Sequence, residues 1–188
     1  MRILTLAAAS ALIAGAAMAQ STGHAGHAAP SPAPAATTNP APAPTPVATA
    51  ALKTAEGADA GTVTAFAGPK GTVLVVEGKG WPEGWHGVHL HAVARCEGPG
   101  FTSAGAHANH AEGPSPHGLL NTAGPDLGDL QNVHAGADGS AHAEVYAANP
   151  GQSVVGLSFL VHANRDDHVS QPIGGAGARI ACGVFEAN

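Results

Sequence analysis

Apolar and polar residues alternate over short stretches of this chain, and no convincing 3.6-residue helical period appears anywhere along it. The runs "GTVTAFAG" and "GTVLVVEGKG" are rich in Val and Thr and separated by Gly, Pro and Lys, the look of a β-hairpin. Further strands are predicted at "WHGVHLHAVA", "SAHAEVYA", "SVVGLSFLVHA" and "ARIACGVFEA". Gly/Pro/Asp-rich stretches lie between them, so the pattern predicts an all-β fold, an antiparallel sandwich or barrel. Residues 95–132 and 163–178 are too long for hairpin turns, and loops of that size in a compact domain usually carry function.

The alternation stops toward the N-terminus. Residues 20–50 are Ala, Pro, Thr and Ser with almost no charge; such a segment cannot bury a core and is expected to be a disordered linker. The folded domain is therefore expected over residues 51–188, beginning near Ala51. Residues 1–19 combine one positive charge at Arg2, an apolar stretch and the small-x-small pattern Ala17-Met18-Ala19, which reads as a secretory signal peptide. Its apolar core is short and Ala-rich and lacks a basic stop-transfer flank, so no membrane association is expected after cleavage. The mature chain is expected to be soluble and exported, periplasmic or secreted.

Export bears on the cysteines. There are two, Cys96 and Cys182. In an oxidising compartment an isolated pair most simply forms one disulfide, the alternative being two buried thiols. Seven Lys and Arg against thirteen Asp and Glu give a formal net charge of −6, and no basic cluster or aromatic run suggests nucleic acid. The twelve histidines are the anomaly, because neutral imidazole is the commonest metal ligand side chain.

On a strand, alternate residues face the same side, so His89 and His91 in "GVHLHAVARC" project together. After them come His107 in "SAGAHANH", His117 in "SPHGLL", Asp126 and Asp129 in "GPDLGDL", His162 closing "LSFLVH", and Arg179 in "GGAGARIACG". One such histidine would more often be structural than a ligand; the ordered set points to a metal centre.

The stretches "HGVHLHAVARCEGPG", "TSAGAHANH", "GDLQNV", "FLVHANRDD" and "GARIACGVF" resemble, in order and spacing, the copper–zinc superoxide dismutases, especially exported bacterial ones. The resemblance covers residues 51–188 and implies a Greek-key antiparallel β-barrel of about eight strands, with two large loops forming the metal channel. It further implies copper bound by His89, His91, His107 and His162, with His107 bridging to zinc as an imidazolate. His117, Asp126 and Asp129 would complete the zinc site. Asp166 would link copper-side and zinc-side histidines from behind, Arg179 would flank the copper channel, and Cys96 would pair with Cys182. The implied reaction is dismutation of superoxide to oxygen and hydrogen peroxide. Imidazole nitrogen suits both copper oxidation states, and zinc, which has no redox chemistry, would hold His107 in place.

This chain departs from the family pattern at Asp126, where a third zinc histidine is usual, and at Gly175, where Asn is common. Carboxylate oxygen can bind zinc, giving a set of two His and two Asp; His110 or His134 are the alternative completions. Gly175 is expected to alter only loop rigidity. His86, His134, His142 and His168 are expected as exposed or capping residues, and Trp81 and Trp85 as core or interface aromatics. His24 and His27 in the linker are either solvated or a loose metal trap. The rival reading is a non-catalytic copper-binding domain of the same fold. A second copy of the chain is one candidate partner, since family members differ in whether they dimerise.

Overall fold

A computed structural model describes residues 43–110, 113–149 and 152–188. The expected signal peptide and most of the linker, including His24 and His27, lie outside the described residues. Nine strands form one antiparallel sheet: β1 (Ala48–Lys53), β2 (Asp59–Gly68), β3 (Gly71–Gly78), β4 (Gly84–His86), β5 (Val88–His91), β6 (Val133–Ala135), β7 (Ala141–Ala147), β8 (Ser158–His162) and β9 (Arg179–Ala187). Among the described residues there is no α-helix, only one turn of 3-10 helix at Thr102–Ala104.

The strand order is β4-β6-β7-β3-β2-β1-β9-β8-β5. β4 and β5 stand at opposite ends of that order, yet only Gly87 separates them in the chain. The sheet must therefore curl until its ends meet, which gives a nearly closed barrel. The β2–β3 hairpin is as expected, in register from Gly61↔Gly78 to Gly68↔Gly71.

Two strands lie where the hydrophobic pattern was silent. β1, "ATAALK", precedes the expected start at Ala51 and pairs with both β2 and β9. β6 is only three residues long. Ala-rich or very short strands lack the β-branched run that marks the others, and take their structure from the neighbours they pair with.

Alternation fills the barrel. Ala50, Leu52, Val63, Ala65, Leu74, Val76, Val145, Phe159, Val161 and Phe185 are buried together, and Phe159 meets Phe185 edge-on. Trp81 joins this core and donates its indole N–H to Ala60 O, whereas Trp85 is half exposed against His134.

β5 and β8 break the rule of one buried face: every residue of both is buried. Val88, Leu90, Phe159 and Val161 face the core, so His89, His91, Leu160 and His162 occupy the outer face. That face is covered by the long connections. Phe101, Ala104, Leu160 and Cys182 form a second apolar cluster there, against which Cys96 packs, and Cys96 is bonded to Cys182. The 92–132 connection also folds along the free edge of β5. Ala108 donates to Leu90 O, Leu90 to Gly128 O, and Ala92 to Ala106 O. The covered outer face, not the barrel interior, is where the histidines gather.

Candidate metal centre

His89, His91 and His162 arrive from adjacent strands, with His89 opposite Leu160 and His162 opposite Arg179 in the ladder. Bridges pair His91 with His107 and His89 with Asp129, so the 92–132 connection delivers its side chains directly beside the strand histidines. The His89 and His107 rings are 4.2 Å apart, His91 and His107 4.9 Å, and His89 and His162 4.9 Å. One ligand atom from each of His89, His91 and His162 falls within 4.8 Å of the others. The same holds for His107, His117, Asp126 and Asp129.

The hydrogen bonds decide which nitrogens are free. His91 Nδ1 donates to Gly105 O at 2.9 Å, His162 Nδ1 to Gly177 O at 3.0 Å, and His89 Nε2 to Asp166 Oδ2 at 2.8 Å. Carbonyl and carboxylate oxygens only accept, so each of those nitrogens carries the proton. The other nitrogen, His91 Nε2, His162 Nε2 or His89 Nδ1, is a lone pair, buried and without a hydrogen-bond partner. His107 Nε2 is also buried and unpartnered. Leaving one buried polar atom unpaired costs roughly 1–3 kcal/mol. Three brought together by His89, His91 and His162, with the His107 ring beside them, mark a site for a cation with imidazole affinity, and the donor set fits copper.

The second cluster has a different character. His107 Nδ1 is 2.9 Å from Asp126 Oδ2 and 3.6 Å from Asp129 Oδ1. His117 Nδ1 contacts Asp129 Oδ1, while its Nε2 lies 3.2 Å from Asp166 Oδ1. Asp129 Oδ2 also accepts the backbone N–H of Gly118 at 2.6 Å and of Asp126 at 3.0 Å, which anchors the loop on the carboxylate. Asp126 Oδ1 is buried and unpartnered. Two imidazole nitrogens with two carboxylates make a donor set that fits zinc.

Burial leads the electrostatics. It drives His89 down to about 3, His91 to about 2 and His162 to about 4, so all three are neutral near pH 7. For His117 burial also opposes the charge, but hydrogen bonds to Asp129 and Asp166 outweigh it and push it up to about 10. His107 is raised likewise, burial being overcome by Asp126 and Asp129. Asp129 and Asp166 resist burial because their histidine partners hold them well below the usual carboxylate range.

A cleft of about 460 Å³ opens over the centre, lined by His91, His107, His117, Asp126 and Arg179 among others. Arg179 donates from Nη1 to Phe101 O at 2.6 Å and from Nη2 to Gly105 O at 2.8 Å. Gly105 O thus serves both His91 and Arg179. Behind the centre, Gly174 (φ +59°) is required, since a Cβ there would overlap Asp166 Oδ1. Gly175 next to it has open space around it.

His89, His91, His107, His117, Asp126, Asp129, His162, Asp166 and Arg179 therefore converge here. Of the alternative completions, His110 contacts Pro125 O and His134 is exposed beside Trp85, while Asp126 is the residue grouped with His107, His117 and Asp129. His86 corrects an expectation. It is fully buried, not exposed, with Nδ1 2.7 Å from His162 O and Nε2 2.8 Å from Pro82 O. Asn132 and His168, which contact Asp166, were missed as site residues; the only sequence signal was Asn132 lying within "GDLQNV".

The chain matches the copper/zinc superoxide dismutase (SODC) family over residues 59–185. It is 48% identical to a superoxide dismutase [Cu-Zn] of Caulobacter vibrioides over 149 residues, 74% of this chain and 85% of that one. The Cu/Zn superoxide dismutase of Brucella abortus has a similar structure, with TM-score 0.63, 30% identity, and coverage of 73% of this chain and 98% of that one. A SOD-like protein from Bacillus subtilis is similar at TM-score 0.65 and 29% identity, covering 72% of this chain and 96% of that one.

Proposed function

We propose residue roles from the premise that this chain belongs to the copper/zinc superoxide dismutase family and dismutes superoxide to oxygen and hydrogen peroxide. His89 Nδ1, His91 Nε2, His162 Nε2 and His107 Nε2 hold copper; His107 and His117 with Asp126 and Asp129 hold zinc. The observation that carries this reading is the set of four buried, unpartnered imidazole nitrogens beside a His/Asp cluster. Bound copper supplies the alternating one-electron oxidation and reduction of superoxide.

The chain's own groups do the rest. Asp166 holds the proton on His89 Nε2 and so keeps Nδ1 free, the usual work of a carboxylate behind a ligating imidazole. Gly105 O and Gly177 O do the same for His91 and His162. His107 lines the cleft, and its Nε2, whenever it is not holding copper, can take up a proton there and give it to the reduced substrate. Arg179 attracts the anion. The chain is net negative, so approach is opposed overall, but a fixed cation in a cleft focuses the local field. Its two carbonyl acceptors keep the guanidinium over the opening.

Residues 1–19 are read as a secretory signal, the segment from residue 20 up to β1 at Ala48 as a linker, and the mature protein as periplasmic or secreted. The bonded pair Cys96–Cys182 supports this, since disulfides persist in oxidising compartments. A relative named extracellular superoxide dismutase [Cu-Zn], from Brugia pahangi, is 34% identical over 151 residues.

The test is metal content together with turnover on the purified exported protein. One copper and one zinc per chain with dismutation is expected. Copper bound without turnover would instead identify a carrier of the same fold.

A further inference from the structure

Asp166 is completely buried, and its carboxylate is approached from more directions than the two histidines it was expected to link. Besides His89 Nε2 at 2.8 Å and His117 Nε2 at 3.2 Å, Oδ1 accepts the backbone N–H of His168 at 2.6 Å. His168 Nδ1 then lies 3.5 Å from Oδ2. That nitrogen is itself buried and has no hydrogen-bond partner.

The amide of Asn132 fixes how the His168 ring is protonated. Asn132 Oδ1 accepts the N–H of Asp166 at 2.8 Å, so its orientation is set. Its Nδ2 group therefore faces outward with two N–H bonds: one donates to Asp166 O at 2.8 Å, the other reaches His168 Nε2 at 2.8 Å. His168 Nε2 must accept, which leaves the ring proton on Nδ1, the nitrogen nearest the Asp166 carboxylate. At 3.5 Å this is a charge–dipole contact, longer than a full hydrogen bond.

The backbone around His168 is costly to arrange. His168 sits at φ 63°, a left-handed conformation uncommon for a residue with a side chain. Its carbonyl accepts the N–H of Leu120, and a Cβ at Gly118 would run into that carbonyl. His168 thus touches the loop that bears His117, the loop that bears Asp166, and the Asn132 segment before β6.

We propose that His168 is a positioning residue: with Asn132 it aims Nδ1–H at Asp166 and thereby sets the orientation of both His89 and His117. It moderates how strongly Asp166 draws on the protons of those two imidazoles, and so tunes two ligands in different metal sites at once. The proposal rests on the reading of Asp166 as the link between the sites.

The test compares zinc affinity, by competition with a chromophoric chelator, and the copper(II) absorption band of the oxidised, folded protein. His168→Gln keeps a group for Asn132 but offers no donor near the carboxylate. His168→Gly relieves the backbone but removes the ring. Both are expected to weaken zinc about tenfold, the lower end of what losing an outer partner costs, and to shift the copper band. His168→Asn tolerates the left-handed backbone and carries an N–H near the Nδ1 position, and is expected to restore both readouts. In an Asp166→Asn background, His168→Gln should add nothing, because its effect passes through the carboxylate. A Gly variant with wild-type zinc affinity and copper band would reduce His168 to a backbone role and overturn the proposal, leaving Asp166 in place. An Asp166→Asn protein unchanged in both readouts would instead overturn the reading of Asp166, and the proposal with it.

Discussion

The three strand histidines and the neighbouring His/Asp cluster share His107 as a border, yet the fold treats them as opposites. His89, His91 and His162 lie on β5 and β8, with backbone positions fixed by the ladder and ring protons fixed by Asp166, Gly105 and Gly177. Burial keeps them neutral, so their free nitrogens are lone pairs that cannot satisfy one another. His117, Asp126 and Asp129 lie on a long connection and answer one another's charge. In the absence of metal, protons on His107 and His117 stand in for the cation. The strand cluster therefore needs an ion to be satisfied, whereas the loop cluster exchanges one cation for another. On the proposed assignment, neutrality belongs to the copper side and charge compensation to the zinc side.

The sharpest way to break this contrast is to remove a strand nitrogen. His162→Ala deletes one of the proposed copper donors and its bond to Gly177 O, while the core-facing Phe159 and Val161 of β8 stay in place. Dismutation is expected to fall by more than about 100-fold, beyond the range for losing an outer partner, with the far-ultraviolet β signature kept. Full activity at equal copper loading would sink the copper assignment.

On the loop side, Asp126→Ala should weaken zinc by about 10- to 100-fold and spare copper, since Asp126 touches His107 but none of the three strand histidines. Asp126→His should restore zinc or strengthen it. Carboxylate is harder than imidazole, so the natural site should also discriminate less among divalent ions than the His variant does. If His110→Ala abolished zinc binding and Asp126→Ala did not, the fourth ligand would be His110 instead.

Protons separate the clusters without any substitution. His117 is raised to about 10 and His107 is raised too, so zinc must displace protons near neutral pH. Zinc affinity should climb by up to about tenfold per pH unit for each proton released, whereas copper affinity should climb less steeply, since of its four proposed ligands only His107 is raised and the three strand histidines are already neutral. The metal-free fold follows the same signs. Raised histidines contribute stability that is complete below their unfolded value of 6.5 and is lost as pH climbs toward about 10. The lowered strand histidines act oppositely: their contribution is complete above 6.5 and lost as pH falls toward about 3. Titrations of both metals between pH 5 and 9 check this, and equal slopes would erase the distinction.

Much of this contrast can be read from the residues, and the unread part has a common cause. The H-x-H pair, the "GPDLGDL" aspartates and Arg179 stand out because their type and order carry the chemistry. Val- and Thr-rich strands stand out because their pattern is local. β1 does not, because "ATAALK" is a strand only by virtue of β2 and β9 on either side. His86, Asn132 and His168 were missed for the same reason. A lone histidine looks solvated until the chain brings His162 O against it, and an asparagine gains meaning only when Asp166 closes on it from 34 residues away.

The smallest expected effect tests whether approach of the substrate belongs to the strand side alone. Arg179 opens β9 opposite His162 and shares Gly105 O with His91, so it is tied to the strand histidines, and its hydrogen bonds go to Phe101 O and Gly105 O rather than to the loop cluster. Arg179→Glu reverses the charge at the cleft and should slow turnover by about tenfold or more, the low end of electrostatic focusing, while leaving zinc affinity unchanged. Arg179→Lys keeps the charge but loses the planar fork that reaches Phe101 O and Gly105 O together, so it should slow turnover only mildly. The wild-type rate should fall as salt rises, because screening shortens the reach of the guanidinium. The Glu variant should lose that fall or invert it. A rate indifferent to both salt and charge reversal would mean that Arg179 does not guide the anion, and that its two carbonyl bonds serve only to pin the strand beneath His91.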